Sequence, residues 1–125
     1  MFQFRSLSIV TITLLITLSC RNPLPTLNQI DLDAWKDDKL ACAGKRTSMS
    51  AAIQSESNKL LALSEKEIIE LLGKPDENEL YTRNQKFYYY FLEPSGACSE
   101  TVGGDPRKLV IRFNATGLVK EVSVE

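Results

Sequence analysis

"LSEKEIIELLGKPD", residues 63 to 76, decides how the rest of the chain is read. Ser64 and Glu67 form the S-x-x-E capping box, in which each side chain can satisfy the other residue's backbone donor. Ile68, Ile69, Leu71 and Leu72 supply a broad apolar stripe behind it. Gly73 then takes the position after the helix that tolerates positive φ, and Pro75 blocks continuation. The spacing predicts a short helix, stopped at both ends, whose apolar stripe needs a second layer to cover it.

Downstream the pattern turns to strands. "ELYTR" (79–83) reads as a strand, Asn84-Gln85 as a tight connection, and "KFYYYFLEP" (86–94) as the strand that follows. "KLVIRF" (108–113) and "LVKEVSV" (118–124) flank "NATG" (114–117), a four-residue hairpin loop ending in Gly117. Alternation places Leu109, Ile111 and Phe113 on one face, and Val110 and Arg112 on the other. "SGACSETVGGDPR" (95–107) is a long loop between strands.

Upstream, "DLDAWKDDKLACAGKR" (31–46) starts acidic and ends basic, as a helix dipole favours, but Leu32, Trp35 and Leu40 are sparse. A short helix or turn is expected there. "TSMSAAIQSESNKLLAL" (47–63) sets Met49, Ala52, Ile53, Leu60 and Leu61 near one helical face, with Ser55 to Asn58 weakening its middle. The sum is an α+β fold: two helices packed on one face of a small three- to four-stranded antiparallel sheet.

The tyrosine run within 87–92 raises the question of faces. Successive side chains alternate, so Phe87, Tyr89 and Phe91 form one set and Tyr88, Tyr90 and Leu92 the other. The first set is expected in the core beneath the helices. The second is then the candidate partner surface, since Tyr is enriched at interfaces, unless loops or the 31–46 segment cover it.

Residues 1–19 read as a targeting segment. Arg5 precedes "SLSIVTITLLITLS", fourteen residues without a charge, about 21 Å as a helix against a hydrocarbon core of about 30 Å. Arg21, Pro23 and Pro25 follow at once, which fits a cleaved signal better than a spanning helix. Thr17-Leu18-Ser19-Cys20 resembles a bacterial lipobox, which implies cleavage before Cys20 and lipidation of that cysteine, with two acyl chains enough for stable anchoring. Residues 20–30 then read as a lipidated, proline-bearing tether and 31–125 as one domain.

Cys42 and Cys98 remain, an even pair in an exported chain. A disulfide between them is expected, set against two free buried thiols or a metal site. With no His in the chain, zinc lacks its usual ligands. The bond would close a 56-residue separation and, in the loop-entropy picture, contribute about 4 kcal/mol.

Composition narrows the function classes. Without Arg5 there are fourteen basic residues against sixteen acidic, a formal charge of −2, so electrostatics makes no case for nucleic acid. There is no His for acid–base work, no glycine-rich phosphate loop and no nucleophile motif; no enzyme and no cofactor is expected. The acidic groups Asp31, Asp33, Asp37 and Asp38, then Asp76, Glu77 and Glu79, lack the order of a calcium loop.

A helix ending Leu71-Leu72-Gly73-Lys74-Pro75-Asp76, an aromatic strand, and a hairpin Phe113-Asn114-x-x-Gly117-x-Val119 are together similar to the BamE (SmpA/OmlA) class of small lipoproteins. β-Lactamase-inhibitor-like domains share the same two-helix-plus-sheet design. The resemblance covers residues 49 to 124; "WKDDKLACAGKR" and the Cys42/Cys98 pair lie outside it. It implies a lipid-anchored protein of the bacterial envelope, at the outer membrane, that binds another envelope protein as an assembly accessory. The competing class is an inhibitor or ligand-binding module of the same fold, acting on a soluble extracytoplasmic target.

Overall fold

The computed structural model describes residues 22–99 and 103–125. Among them are four α-helices: α1 Leu32–Asp37, α2 Lys45–Ser48, α3 Ser50–Ser55 and α4 Glu65–Leu72. Four strands follow: β1 Glu77–Leu80, β2 Lys86–Phe91, β3 Lys108–Phe113 and β4 Val119–Val124. They lie side by side in chain order, each neighbouring pair antiparallel. The α+β architecture expected from the sequence is the one observed.

Helix α4 forms as its sequence dictates. Ser64 Oγ accepts the Glu67 N–H and Glu67 Oε1 accepts the Ser64 N–H, each at 3.2 Å. Ile68, Leu71 and Leu72 are buried against the sheet. Gly73 ends the helix at φ 80°, ψ −178°, backbone space that is essentially glycine's alone. A Cβ there would also stand 3.1 Å from Lys36 Cγ, so α1 and the end of α4 approach through this residue.

The helical layer ahead of α4 is more finely divided than a single second helix. The sparse apolar residues of 31–46 support only the two turns of α1, the 3₁₀ turn Lys39–Ala41 and the one turn of α2. Leu40 and Ala41 both take positive φ, 59° and 54°, which breaks the helical path. α3 stops at Ser55, where the sequence pattern weakens, and a 3₁₀ turn, Ser57–Leu60, carries Leu60 into the core.

In the sheet, Leu109, Ile111 and Phe113 face the helices, as alternation predicts. The 114–117 loop closes through Asn114, whose Oδ1 accepts from the N–H of Thr116 at 3.0 Å and of Leu118 at 3.1 Å. β1 and β2 are joined by the 3₁₀ turn Thr82–Asn84 rather than by a tight turn at Asn84-Gln85. Arg83 and Asn84 sit at positive φ, and the Tyr81 N–H donates to the Gln85 carbonyl at 2.7 Å.

Two expectations are corrected. Tyr88 and Tyr90 of β2 and Leu92 just after it are the core set, at 7%, 0% and 0% exposure, while Phe87, Tyr89 and Phe91 point to the opposite face, where Phe87 and Tyr89 are half-buried and Phe91 is covered, at 4% exposure. Tyrosine is at home inside because the helical layer supplies acceptors: Tyr90 Oη donates to the Gly73 carbonyl at 2.8 Å, and Tyr88 Oη to Glu65 Oε1 at 2.9 Å.

The tether also ends sooner than residue 30. Leu27 and Ile30 are buried in the core. Glu56 accepts the N–H groups of Asn28 at 3.2 Å and Gln29 at 3.5 Å, and Lys59 Nζ donates to the Thr26 carbonyl. The chain is therefore docked from about Thr26 onward. The expected signal segment, residues 1–19, and the lipidation candidate Cys20 lie outside the described residues.

Candidate functional site

Packing of the helices on one side leaves the other side of the sheet uncovered by any described helix. Register sets its contents: β2 presents Phe87, Tyr89 and Phe91, opposite Arg112, Val110 and Lys108 of β3. β1 brings Glu79 opposite Phe87 and Glu77 opposite Tyr89, and β4 brings Glu121 opposite Arg112.

The rings form a continuous strip. Tyr81 stands edge-on to Phe87 with centroids 5.8 Å apart, and Phe87 stacks on Tyr89 at 6.3 Å with planes 9° apart. Beyond Tyr89 the ammonium of Lys108 sits 5.5 Å from its ring centroid and 4.8 Å from that of Phe91. Glu77 Oε2 is 3.4 Å from the same ammonium. Arg112 is held by Glu121 at 2.7 Å. Tyr81 is 57% exposed, so the strip opens to solvent at that end.

Tyr89 donates its hydroxyl to Glu79 Oε2 at 2.9 Å. Burial, then the bond to Glu79 and the charges of Glu79, Glu125 and Glu77, push its pKa up to about 12. On the helix side, burial and the Glu65 carboxylate push Tyr88 up to about 12. Lys86, bonded to Glu65 at 2.8 Å, holds that carboxyl below its ordinary range, helped by the Tyr88 hydroxyl.

Beneath the helices lies a second ionic cluster, its Arg46 and Asp76 side chains 1% and 3% exposed. Arg46 Nη1 meets Asp76 Oδ2 at 2.6 Å, Nε donates to the Trp35 carbonyl at 2.8 Å, and the guanidinium carbon lies 5.0 Å from the Trp35 ring centroid. Asp76 also accepts the N–H of Leu40 at 3.0 Å and of Phe91 at 2.8 Å. Asp38 accepts the N–H of Ala43 and of Arg46 at 2.7 and 3.0 Å. Every oxygen of these two buried carboxylates is thereby used to hold the backbone or Arg46.

The disulfide Cys42–Cys98 is formed, with Cα atoms 5.4 Å apart, and fastens the 95–98 turn beside this cluster. Asp31 caps α1 by accepting the Ala34 N–H at 3.1 Å. Among the described residues no group of three or more Cys, Asp or Glu is arranged to hold a metal ion, and no helix is long and apolar enough to cross a membrane.

The sequence reading found the tyrosine run but put its two faces the wrong way round. It also missed Arg46 and Asp76, whose pairing links residues thirty positions apart. The acidic cluster at 76–79 was visible, yet it divides: Asp76 turns inward to Arg46, while Glu77 and Glu79 border the aromatic strip.

No family model matches this chain, and no curated protein or solved structure matches it.

Proposed function

We propose that this chain is a lipid-anchored domain of the bacterial envelope that binds another protein through the open face of its sheet. The observation that carries the reading is the strip Tyr81, Phe87 and Tyr89 on the sheet face away from the helices, exposed at Tyr81, half-buried at Phe87 and Tyr89, and edged by charged side chains. Rigid aromatic side chains give large contact area at small entropic cost, and a charged rim sets register with a partner. The lipobox resemblance at Cys20 supports the anchor, and the resemblance to the BamE class supports an accessory role in outer-membrane assembly.

A photo-crosslinking residue placed at Tyr81 in the full chain tests the face, with Lys66, exposed on α4, as the comparison position. The reading expects one envelope protein to be captured from Tyr81 and not from Lys66. Capture of barrel-assembly subunits supports the accessory role; a soluble target at Tyr81 moves the reading to an inhibitor or ligand-binding module. Equal capture from both positions removes the open face from the account. Palmitate labelling that persists in Cys20→Ser would remove the anchor.

A further inference from the structure

The aromatic strip carries a cation against its rings at one end and, among the described residues, none at the other. At one end the rings of Tyr89 and Phe91 carry the Lys108 ammonium, with the Glu77 carboxylate beside it. At the other end Tyr81 stands edge-on to Phe87, and Glu79 lies opposite Phe87 in register. Among the described residues no cation stands over those two rings. Arg112, the cross-strand neighbour of Phe87, is drawn to Glu121 instead.

The charges on this face point the same way. Register assigns it Glu77, Glu79, Glu121 and Glu125 against Lys108 and Arg112, four carboxylates against two cations. Lys108 and Arg112 already have acid partners in Glu77 and Glu121. Glu79 and Glu125 have no basic partner within ion-pair distance among the described residues. A ring face is negative and attracts a cation placed within about 6 Å of its centroid. Lys108 shows this attraction at work in the chain itself.

Resting on the protein-binding reading above, we propose that the partner presents a cationic segment, and that an arginine or lysine side chain lies over Tyr81 and Phe87 beside Glu79. The same chemistry disfavours the other occupants. A second copy docking face to face would bring the unpaired Glu79 and Glu125 of both copies together, an acidic segment would meet the same two carboxylates, and a purely apolar one would strip water from them without replacing it.

The test is a fluorescence-anisotropy titration of the full chain in nonionic detergent with three labelled octapeptides, alternating Gly-Arg, Gly-Lys and Gly-Glu. The cationic peptides are expected to bind and the acidic one not to. Tyr81→Ala together with Glu79→Gln is expected to weaken the Gly-Arg peptide about tenfold, the sum of one cation–π contact and one partly exposed charge pair.

Asp33→Asn removes the same charge from the exposed first turn of α1 and is expected to leave the affinity unchanged. Lys108→Gln provides a change of opposite sign, because it frees the Tyr89 ring and the Glu77 carboxylate for a partner's cation and is expected to tighten binding. Equal binding of the Gly-Glu peptide, or an equal loss from Asp33→Asn, overturns the proposal, as does weaker binding by a folded Lys108→Gln. If no cationic peptide binds while Tyr81 still crosslinks to one envelope protein, the cation preference falls and the protein-binding reading stands.

Discussion

The two sides of β2 carry the same trio of groups in opposite circumstances. Facing the helices, the Arg46 guanidinium lies 5.0 Å from the Trp35 ring and 5.9 Å from that of Tyr90, with Asp76 at 2.6 Å. Facing outward, the Lys108 ammonium lies 5.5 Å from Tyr89 and 4.8 Å from Phe91, with Glu77 at 3.4 Å. The inner pair is 1% and 3% exposed at its side chains, the outer pair 28% and 52%. Inside, every donor and acceptor must be answered by protein, so the trio fixes the fold; outside, water answers them, so the groups remain available to a partner. Identical chemistry becomes structure or surface according to burial.

The sharpest way to break this comparison is to truncate both cations. Arg46→Ala leaves Asp76 buried without its partner and is expected to cost about 3–5 kcal/mol by urea denaturation. An effect as small as that of an exposed pair would mean that the inner trio is not what holds the helices down. Next in size is the disulfide beside it. A Cys42→Ser/Cys98→Ser chain is expected to lose about 2–4 kcal/mol, read as a lower denaturation midpoint with an unchanged ligand-free fold.

Alkali acts on both sides alike through their tyrosines. Burial raises Tyr90 as well as Tyr88, and burial with its neighbouring carboxylates raises Tyr89. A tyrosine whose folded pKa exceeds about 10 holds its proton longer in the folded chain than in the unfolded one. Its contribution is therefore intact below about pH 10 and is lost as pH rises towards about 12, the value for Tyr88 and Tyr89. Thermal melts are expected to stay level up to about pH 10 and fall above it. Tyr90→Phe is expected to lessen that fall, and a fall that begins below pH 9 would contradict the assignment.

Smaller effects sharpen the outer half. Ser64→Ala, which removes the α4 cap far from either trio, is expected to cost about 1 kcal/mol and serves as a yardstick. Lys108→Ala is expected to cost less than about 1 kcal/mol in low salt, and less again in high salt, because exposed pairs are screened. A Lys108→Ala loss larger than that of Ser64→Ala would make the outer trio a structural element and remove it as a candidate surface.

How much of this was legible in the chain depends on how far apart the deciding groups lie. The capping box of α4, its Gly73 stop and the 114–117 hairpin are settled by residues within four positions of each other, so sequence alone places them. The pairing of Cys42 with Cys98 followed from counting: with Cys20 set aside as the expected lipid site, the two remaining cysteines leave one intramolecular choice. The docking of Leu27 and Ile30 was not legible: a proline-bearing polar stretch looks like a tether until Glu56 is near enough to accept its N–H groups.

The sequence by itself determined that this is an α+β chain with a securely bounded α4, a terminal hairpin and a cysteine pair, because local hydrogen bonds and alternation are short-range properties. Only the tertiary structure decided which face of β2 turns inward. Alternation admits two phases, and the aromatic run fits either. The choice fell to acceptors distant in sequence, the Gly73 carbonyl for Tyr90 and Glu65 for Tyr88, which hold these two tyrosines against the helices and turn Phe87 and Tyr89 to the other face, with Phe91 covered at its end.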